Sequence, residues 1–196
     1  MNITKLSFII MTSFIVSTCS NDQALRNKAN ELAHKFIITD GHIDVPWRLN
    51  KGYEDLSVRT KTGDFDYVRA KEGGLDVPFM SIYIPSSYLE TGGAKEKADS
   101  LIDMVNQMAD NDPDKFEVAY SVADANRIFK EGKIALPMGM ENGAGIEDDI
   151  RNLKYFYDRG IRYITLTHSK DNLICDSSYD DSDDTWGGLS PYGRKV

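Results

Sequence analysis

The chain has few cysteines, no apolar segment long enough to cross a bilayer, and no cluster of basic residues. Its 196 residues include two cysteines, Cys19 and Cys175, which are too few for the disulfide framework of a small secreted domain. The apolar run over residues 6–16 is shorter than the about 20 residues that a membrane-spanning helix needs. The formal net charge is −8, and an acidic chain without a Lys/Arg cluster argues against nucleic acid as a partner.

Sequence signatures of several enzyme classes are missing as well. The chain contains no glycine-rich phosphate loop, no Gly-x-Ser-x-Gly elbow and no Cys/His nucleophile pair, and its Gly-Gly pairs are interpreted as turns. Five of the nine residues over 176–184 are aspartate, which raises the question of a calcium loop. The spacing lacks the central glycine and the distal glutamate of an EF-hand, so a solvated loop is favoured.

The first residues have the layout of a secretory signal. Lys5 precedes the apolar run over 6–16, and small and polar residues follow it, as in a signal peptide. The stretch Val16-Ser17-Thr18-Cys19 looks like a bacterial lipobox. Residues 1–19 are therefore predicted to be a lipoprotein-type signal peptide with acylation at Cys19, and ordinary signal cleavage is the alternative. A lipid anchor would hold the protein at the bacterial cell envelope, facing the periplasm or the exterior.

Short apolar runs alternate with amphipathic stretches in the rest of the chain. Residues 20–35 are predicted to form a linker and a first helix. The apolar runs predict strands near 36–39, 78–84, 134–140 and 161–167. Apolar spacing and caps predict helices over 97–108, 122–129 (capped by Ser121) and 150–157. This alternation of strand and helix indicates an α/β fold.

Residue types that can act as metal ligands follow three of the four predicted strands. His42 and Asp44 come after the first strand, Glu141 after the third and His168 after the fourth. Because parallel α/β folds build their active sites at the carboxyl ends of the strands, these three coincidences predict one shared site. Alternate residues of a strand face the same side, so His42 and Asp44 should act together. An imidazole beside a carboxylate suits zinc better than copper or an iron–sulfur cluster.

Four motifs in this order resemble the signatures of the membrane (renal-type) dipeptidases. They are His42 to Trp47, Gly73-Gly74-Leu75 with Phe79 to Tyr83, Gly139 to Gly143, and Gly160 to His168 with Asn172. The resemblance runs from about Asp40 to the last residue and implies a (β/α)8 TIM-type barrel that hydrolyses dipeptides with two zinc ions. Such a barrel needs roughly 250 residues, so residues 36–196 are expected to be the truncated N-terminal half of one.

The resemblance also implies a role for each site residue. His42 and Asp44 would bind the first zinc, Glu141 would bridge both zincs, and His168 would contact the substrate. Trp47 and Asn172 are candidate pocket residues. The second zinc would need two further histidines, and the sequence has three histidines in all, the third being His34. The ligands of the second zinc are therefore absent from this chain, which is expected to lack activity on its own.

Three functions remain open at this point. The first is a zinc dipeptidase anchored to the cell envelope, with a dipeptide as substrate and the membrane reached only through the lipid. The second is a non-catalytic metal- or peptide-binding envelope lipoprotein. The third is another metal-dependent amidohydrolase, acting on a cyclic amide or an N-acyl substrate. His-x-Asp at the first strand and the Leu166-Thr167-His168 signature favour the dipeptidase over the amidohydrolase. The sequence gives no basis for predicting the oligomeric state.

Overall fold

A computed structural model describes residues 22–196 of the chain, so the predicted lipobox at Cys19 lies outside the described residues. The first described element is helix α1, over residues 22–35, within the segment predicted to hold a linker and a helix. His34 ties this helix to the rest of the fold, because its Nε2 lies 3.0 Å from the carbonyl oxygen of Lys71. Within the described range, no helix combines the length and hydrophobicity that crossing a bilayer requires.

Strands and helices alternate along the described chain. The strands are β1 Ile38–Ile43, β2 Leu75–Tyr83, β3 Phe116–Val118, β4 Ile134–Leu136, β5 Met138–Glu141 and β6 Ile161–Thr165. After α1, the helices are α2 Val45–Lys51, α3 Tyr67–Gly73, α4 Tyr88–Thr91, α5 Ala94–Asn111, α6 Val122–Lys130 and α7 Arg151–Asp158, with a 3-10 helix at Gly143–Ile146. The fold is therefore α/β, as the alternation of patterns predicts.

The strands form two parallel sheets. One sheet has the order β1-β2-β5-β6, and β3 pairs with β4 in a second, two-stranded sheet. Every one of these strand pairs is parallel. Parallel neighbours need crossover connections, which the intervening helices supply. The carboxyl ends of β1, β2, β5 and β6 therefore lie along one edge.

The sequence prediction of one strand over 134–140 is wrong in one respect, because the run is broken at Pro137 into β4 and β5. Proline has no N–H to donate to a ladder, while its carbonyl still accepts from the backbone N of Met80 at 2.8 Å. The break lets the first half pair with β3 and the second half pair with β2 and β6. The prediction also missed β3, which has only three residues.

The core lies between the sheet and helix α5. Its central side chains, on β2, β5 and α5, are fully buried: Met80, Ile82, Leu101, Ile102, Val105, Met138 and Met140. Leu101, Ile102 and Val105 recur at the spacing of one helix face, as the predicted helix over 97–108 requires. Ser121 caps α6 as predicted, since its hydroxyl accepts from the backbone N of Asp124 at 3.1 Å.

Candidate metal centre

Four predicted site residues come together at the carboxyl edge of the parallel sheet. His42 is the last residue but one of β1, and Glu141 is the last residue of β5. Asp44 caps α2, but its carboxylate makes no capping hydrogen bond, so it stays available to the site. His168 follows the end of β6 by three residues.

Helix α2, which the sequence prediction missed, begins directly after Asp44 with Pro46 in its first turn, a position that proline favours.

The side chains converge closely enough to share an ion. Ligand atoms of His42, Asp44 and Glu141 all lie within 4.8 Å of one another. His42 Nε2 is 3.3 Å from Glu141 Oε2 and 3.6 Å from Asp44 Oδ1. One imidazole nitrogen and two carboxylate oxygens are a donor set that zinc accepts, and a divalent cation would neutralise the two adjacent negative charges. The residues present therefore fit a zinc ion.

The two oxygens of Glu141 face different histidines. Oε2 faces His42, whereas Oε1 lies 3.3 Å from His168 Nε2. A carboxylate with its oxygens directed to two sides has the arrangement that a bridging ligand needs. His168 Nδ1 is buried and has no hydrogen-bond partner in the described part of the chain. We assign the ring proton to Nε2, because an unpaired buried N–H costs more than an unpaired nitrogen lone pair.

The position of Glu141 is fixed by neighbours that the sequence analysis did not identify. Ser81, fully buried on β2, donates its hydroxyl to Glu141 Oε2 at 3.0 Å. Asn142 has a positive φ of 78°, which turns the chain sharply after Glu141. Its backbone N donates to the hydroxyl of Thr165 at 2.9 Å. A polar serine inside the buried run of β2 was the available signal, since such a group needs a partner.

Asn172 holds the loop after β6 against this turn. Its side chain is 8% exposed, and its Nδ2 donates to the carbonyl of Leu166 at 2.7 Å and to Asn142 Oδ1 at 3.2 Å. Its Oδ1 accepts from the backbone N of Ile174 at 2.8 Å and of Cys175 at 3.2 Å. These four hydrogen bonds occupy both amide atoms, so the side chain of Asn172 contacts the loop and the turn at Asn142.

Aromatic rings form a wall beside His168. Trp47 on α2 meets Tyr83 edge to face, with ring centroids 5.1 Å apart, and Tyr83 meets His168 at 4.9 Å. Lys51 places its Nζ 4.6 Å from the Trp47 ring centroid. Burial first, and then the negative charges of Glu141 and Asp44, raise the pKa of Tyr83 above its usual value. Its hydroxyl therefore remains a donor at neutral pH.

The aspartates that follow the site stabilise turns. Asp176 accepts from the backbone N of Trp186 at 2.9 Å and of Gly188 at 2.8 Å. Asp180 accepts from Lys170 Nζ at 2.8 Å, and this contact holds the pKa of Asp180 well below its usual range. Carboxylates that accept from backbone N–H groups in this way order a loop, which agrees with the preference for a loop over a calcium site.

Comparison with known proteins places the chain in a family. The model of the membrane dipeptidases (peptidase family M19) matches residues 26–196. Dipeptidase ataJ of Aspergillus terreus is 29% identical over 180 residues, covering 84% of this chain and 43% of the relative. Mouse dipeptidase 3 is 28% identical over 189 residues, covering 90% and 36% respectively.

A solved structure shows the same fold. The probable dipeptidase PvdM of Pseudomonas aeruginosa superposes with a TM-score of 0.77 at 27% identity, covering 88% of this chain and 46% of that one. This match confirms the predicted fold class, since the dipeptidases of this family are TIM barrels. The chain spans less than half the length of each of these three proteins. With the family model matched over residues 26–196, this chain belongs to the membrane dipeptidase family, peptidase family M19.

Proposed function

We propose that this chain supplies one metal site and a substrate-binding histidine to a zinc-dependent dipeptidase. The observation that carries the proposal is the convergence of His42, Asp44 and Glu141 within 4.8 Å in a member of a dipeptidase family. The chain spans 43% of the first relative's length, so the activity is proposed for the complete gene product.

Each side chain has a distinct role in this proposal. His42, Asp44 and Glu141 would hold the first zinc, and Glu141 would also serve as a ligand of the second. Two bound zinc ions would polarise the scissile carbonyl and provide a nucleophilic water at neutral pH. His168 would donate a hydrogen bond from Nε2 to the substrate carbonyl oxygen as negative charge develops there. The Trp47–Tyr83 wall beside His168 gives an apolar surface to a side chain of the dipeptide.

The test is hydrolysis of a dipeptide panel by the complete gene product, followed as release of free amino acids. Glu141→Gln removes the charge and one carboxylate oxygen, so we expect it to lose zinc and at least about 10–100-fold in activity. His168→Ala should keep its zinc and lose about 100–1,000-fold in kcat, the cost of removing one donor to a developing oxyanion. Glu90→Gln, exposed on α4, is the matched control and should behave as wild type.

The controls separate the other two functions. Tripeptides and N-acyl amino acids are assayed beside the dipeptides. Cleavage of N-acyl amino acids alone would assign the protein to another class of amidohydrolase. Zinc binding without cleavage of any substrate would leave a non-catalytic binding protein.

We also propose that the protein is lipid-anchored at the bacterial cell envelope. The support is the sequence alone: Lys5, the apolar run over 6–16 and the lipobox-like stretch ending at Cys19. Labelled palmitate should enter the wild type and the Cys175→Ala variant, and it should not enter Cys19→Ala. Equal labelling of all three proteins would refute the anchor.

A further inference from the structure

One tyrosine hydroxyl links strand β6 to the candidate metal ligand on β1. The hydroxyl of Tyr163 lies 3.0 Å from Nδ1 of His42, and it donates to the carbonyl oxygen of Gly41 at 3.0 Å. Strands β2 and β5 lie between β1 and β6 in the sheet order, so a flat sheet would separate the outer strands by about 14 Å. The contact therefore requires a strongly curved sheet, with Tyr163 on its concave face.

Gly139 makes room for this ring. It pairs with Tyr163 in the register of β5 and β6, and a Cβ built on it would lie 2.0 Å from Cζ of Tyr163. The ring thus lies directly on the backbone of β5, where no side chain fits between them. Phe79 of β2 also packs against the ring, with the two ring centroids 5.5 Å apart. The two contacts confine the ring and fix the place of its hydroxyl.

The hydroxyl has one proton, and its use determines the tautomer of His42. Since Tyr163 gives that proton to Gly41, its oxygen is left as an acceptor, and Nδ1 of His42 must carry the proton between them. In the neutral ring, Nε2 is then the nitrogen without a proton, and it faces Glu141 Oε2 at 3.3 Å and Asp44 Oδ1 at 3.6 Å. A histidine binds a metal only through a nitrogen without a proton.

We propose that Tyr163 is a positioning residue that holds His42 in the tautomer and ring orientation for metal binding. Gly139 has no side chain and so leaves the space that the Tyr163 ring occupies. The inference rests on the proposed function in taking His42 as a zinc ligand. It goes further because it assigns to Tyr163, on the opposite edge strand of the sheet, the role of supporting His42. Such partners of metal-bound histidines are worth about 10–100-fold in metal affinity.

The first test is the zinc affinity of Tyr163→Phe in the complete gene product, measured by competition with a chromogenic chelator. The variant keeps the ring and loses only the oxygen, so we expect binding to weaken by about 10–100-fold while the circular dichroism spectrum is unchanged. Tyr157→Phe, whose side chain is 60% exposed on α7, is the matched control and should bind zinc like the wild type.

Two further readouts separate positioning from contact with substrate. Saturating zinc should restore the dipeptidase activity of Tyr163→Phe, because the Tyr163 hydroxyl acts through the ligand His42. It should not restore the activity of His168→Ala. In the zinc-loaded wild type, the Nδ1 proton of His42 should give a slowly exchanging downfield NMR signal. That signal should be lost in Tyr163→Phe.

Gly139→Ala provides a second route to the same effect. It changes neither His42 nor the hydroxyl, yet its Cβ displaces the ring, so its zinc affinity should fall as well. The fold-loss of zinc affinity in the double variant, Gly139→Ala with Tyr163→Phe, should be smaller than the product of the fold-losses in the two single variants. Both substitutions act through the one contact between Tyr163 and His42.

Wild-type zinc affinity in Tyr163→Phe would overturn the inference and leave the proposed function standing. A wild-type protein that binds no zinc would overturn both.

Discussion

Asn142 constrains the chain directly after β5, and it offers a direct test of how Glu141 is held. Its positive φ of 78° costs a non-glycine residue roughly 1–3 kcal/mol. Its side chain is 1% exposed, its Nδ2 donates to the carbonyl of Ile84 at 2.9 Å, and its Oδ1 accepts from the backbone N of Ala144 at 3.2 Å. The buried hydrogen bonds offset the strain and keep Glu141 in place.

Alanine and glycine at position 142 separate the two effects. Both variants lose these two hydrogen bonds and a third from Asn172, at about 1 kcal/mol each, so both should be less stable than wild type by about 3 kcal/mol. Glycine adopts a positive φ freely, and we expect Asn142→Gly to be about 1 kcal/mol more stable than Asn142→Ala. Both should also bind zinc more weakly, because Glu141 is the preceding residue.

The assay is denaturant unfolding of the zinc-free complete gene product, which yields the free energy of unfolding of each variant. Asn126→Ala, exposed on α6, is the control and should change this free energy by less than about 0.5 kcal/mol. Equal stability of the alanine and glycine variants would refute the strain argument. Wild-type stability of both would refute the argument from hydrogen bonds.

Two further predictions follow from single contacts. Ser81→Ala removes the buried donor to Glu141 and should weaken zinc binding by about 10–100-fold in a chelator competition; wild-type affinity would show that Glu141 holds its position without it. Hydrogen bonds to the carbonyls of Asn30 and Lys71 raise the pKa of His34 above its usual 6.5. His34 stabilises the docking of its own helix, α1, through its contact with the Lys71 carbonyl. This stabilisation should therefore be complete below about pH 6.5 and be lost as the pH rises through the raised pKa of His34. Amide hydrogen exchange of α1 should show this dependence in wild type and lose it in His34→Gln.

The meeting of the four site residues could be predicted from the sequence because it depends on one regular feature of parallel sheets. A residue directly after a buried strand lies at the edge where neighbouring strands also end. This argument grouped His42, Asp44, Glu141 and His168, and the structure brings their side chains into contact distance. No knowledge of strand order was needed, since every carboxyl end lies at the same edge.

The residues that support the site could not be found in this way. Ser81 contacts Glu141 because β2 is hydrogen-bonded to β5, and Tyr163 contacts His42 because the sheet curls β6 toward β1. Strand order and curvature come from the packing of the whole domain, and no local pattern reports them. The break at Pro137 was visible in the sequence, but its consequence depends on which strands pair with each half.

A local irregularity in β6 explains how Tyr163 comes to face the site. Met138 pairs with Ile161, whereas Gly139 pairs with Tyr163, so the register shifts by one residue and Arg162 has no partner on β5. An extra residue of this kind re-aims the side chains that follow it, and such shifts are common next to active sites. The guanidinium of Arg162 donates to the carbonyl of Tyr120 at 2.6 Å, which anchors the extra residue. Without the shift, alternation along the strand would set a different residue opposite Gly139, and the hydroxyl would not reach His42.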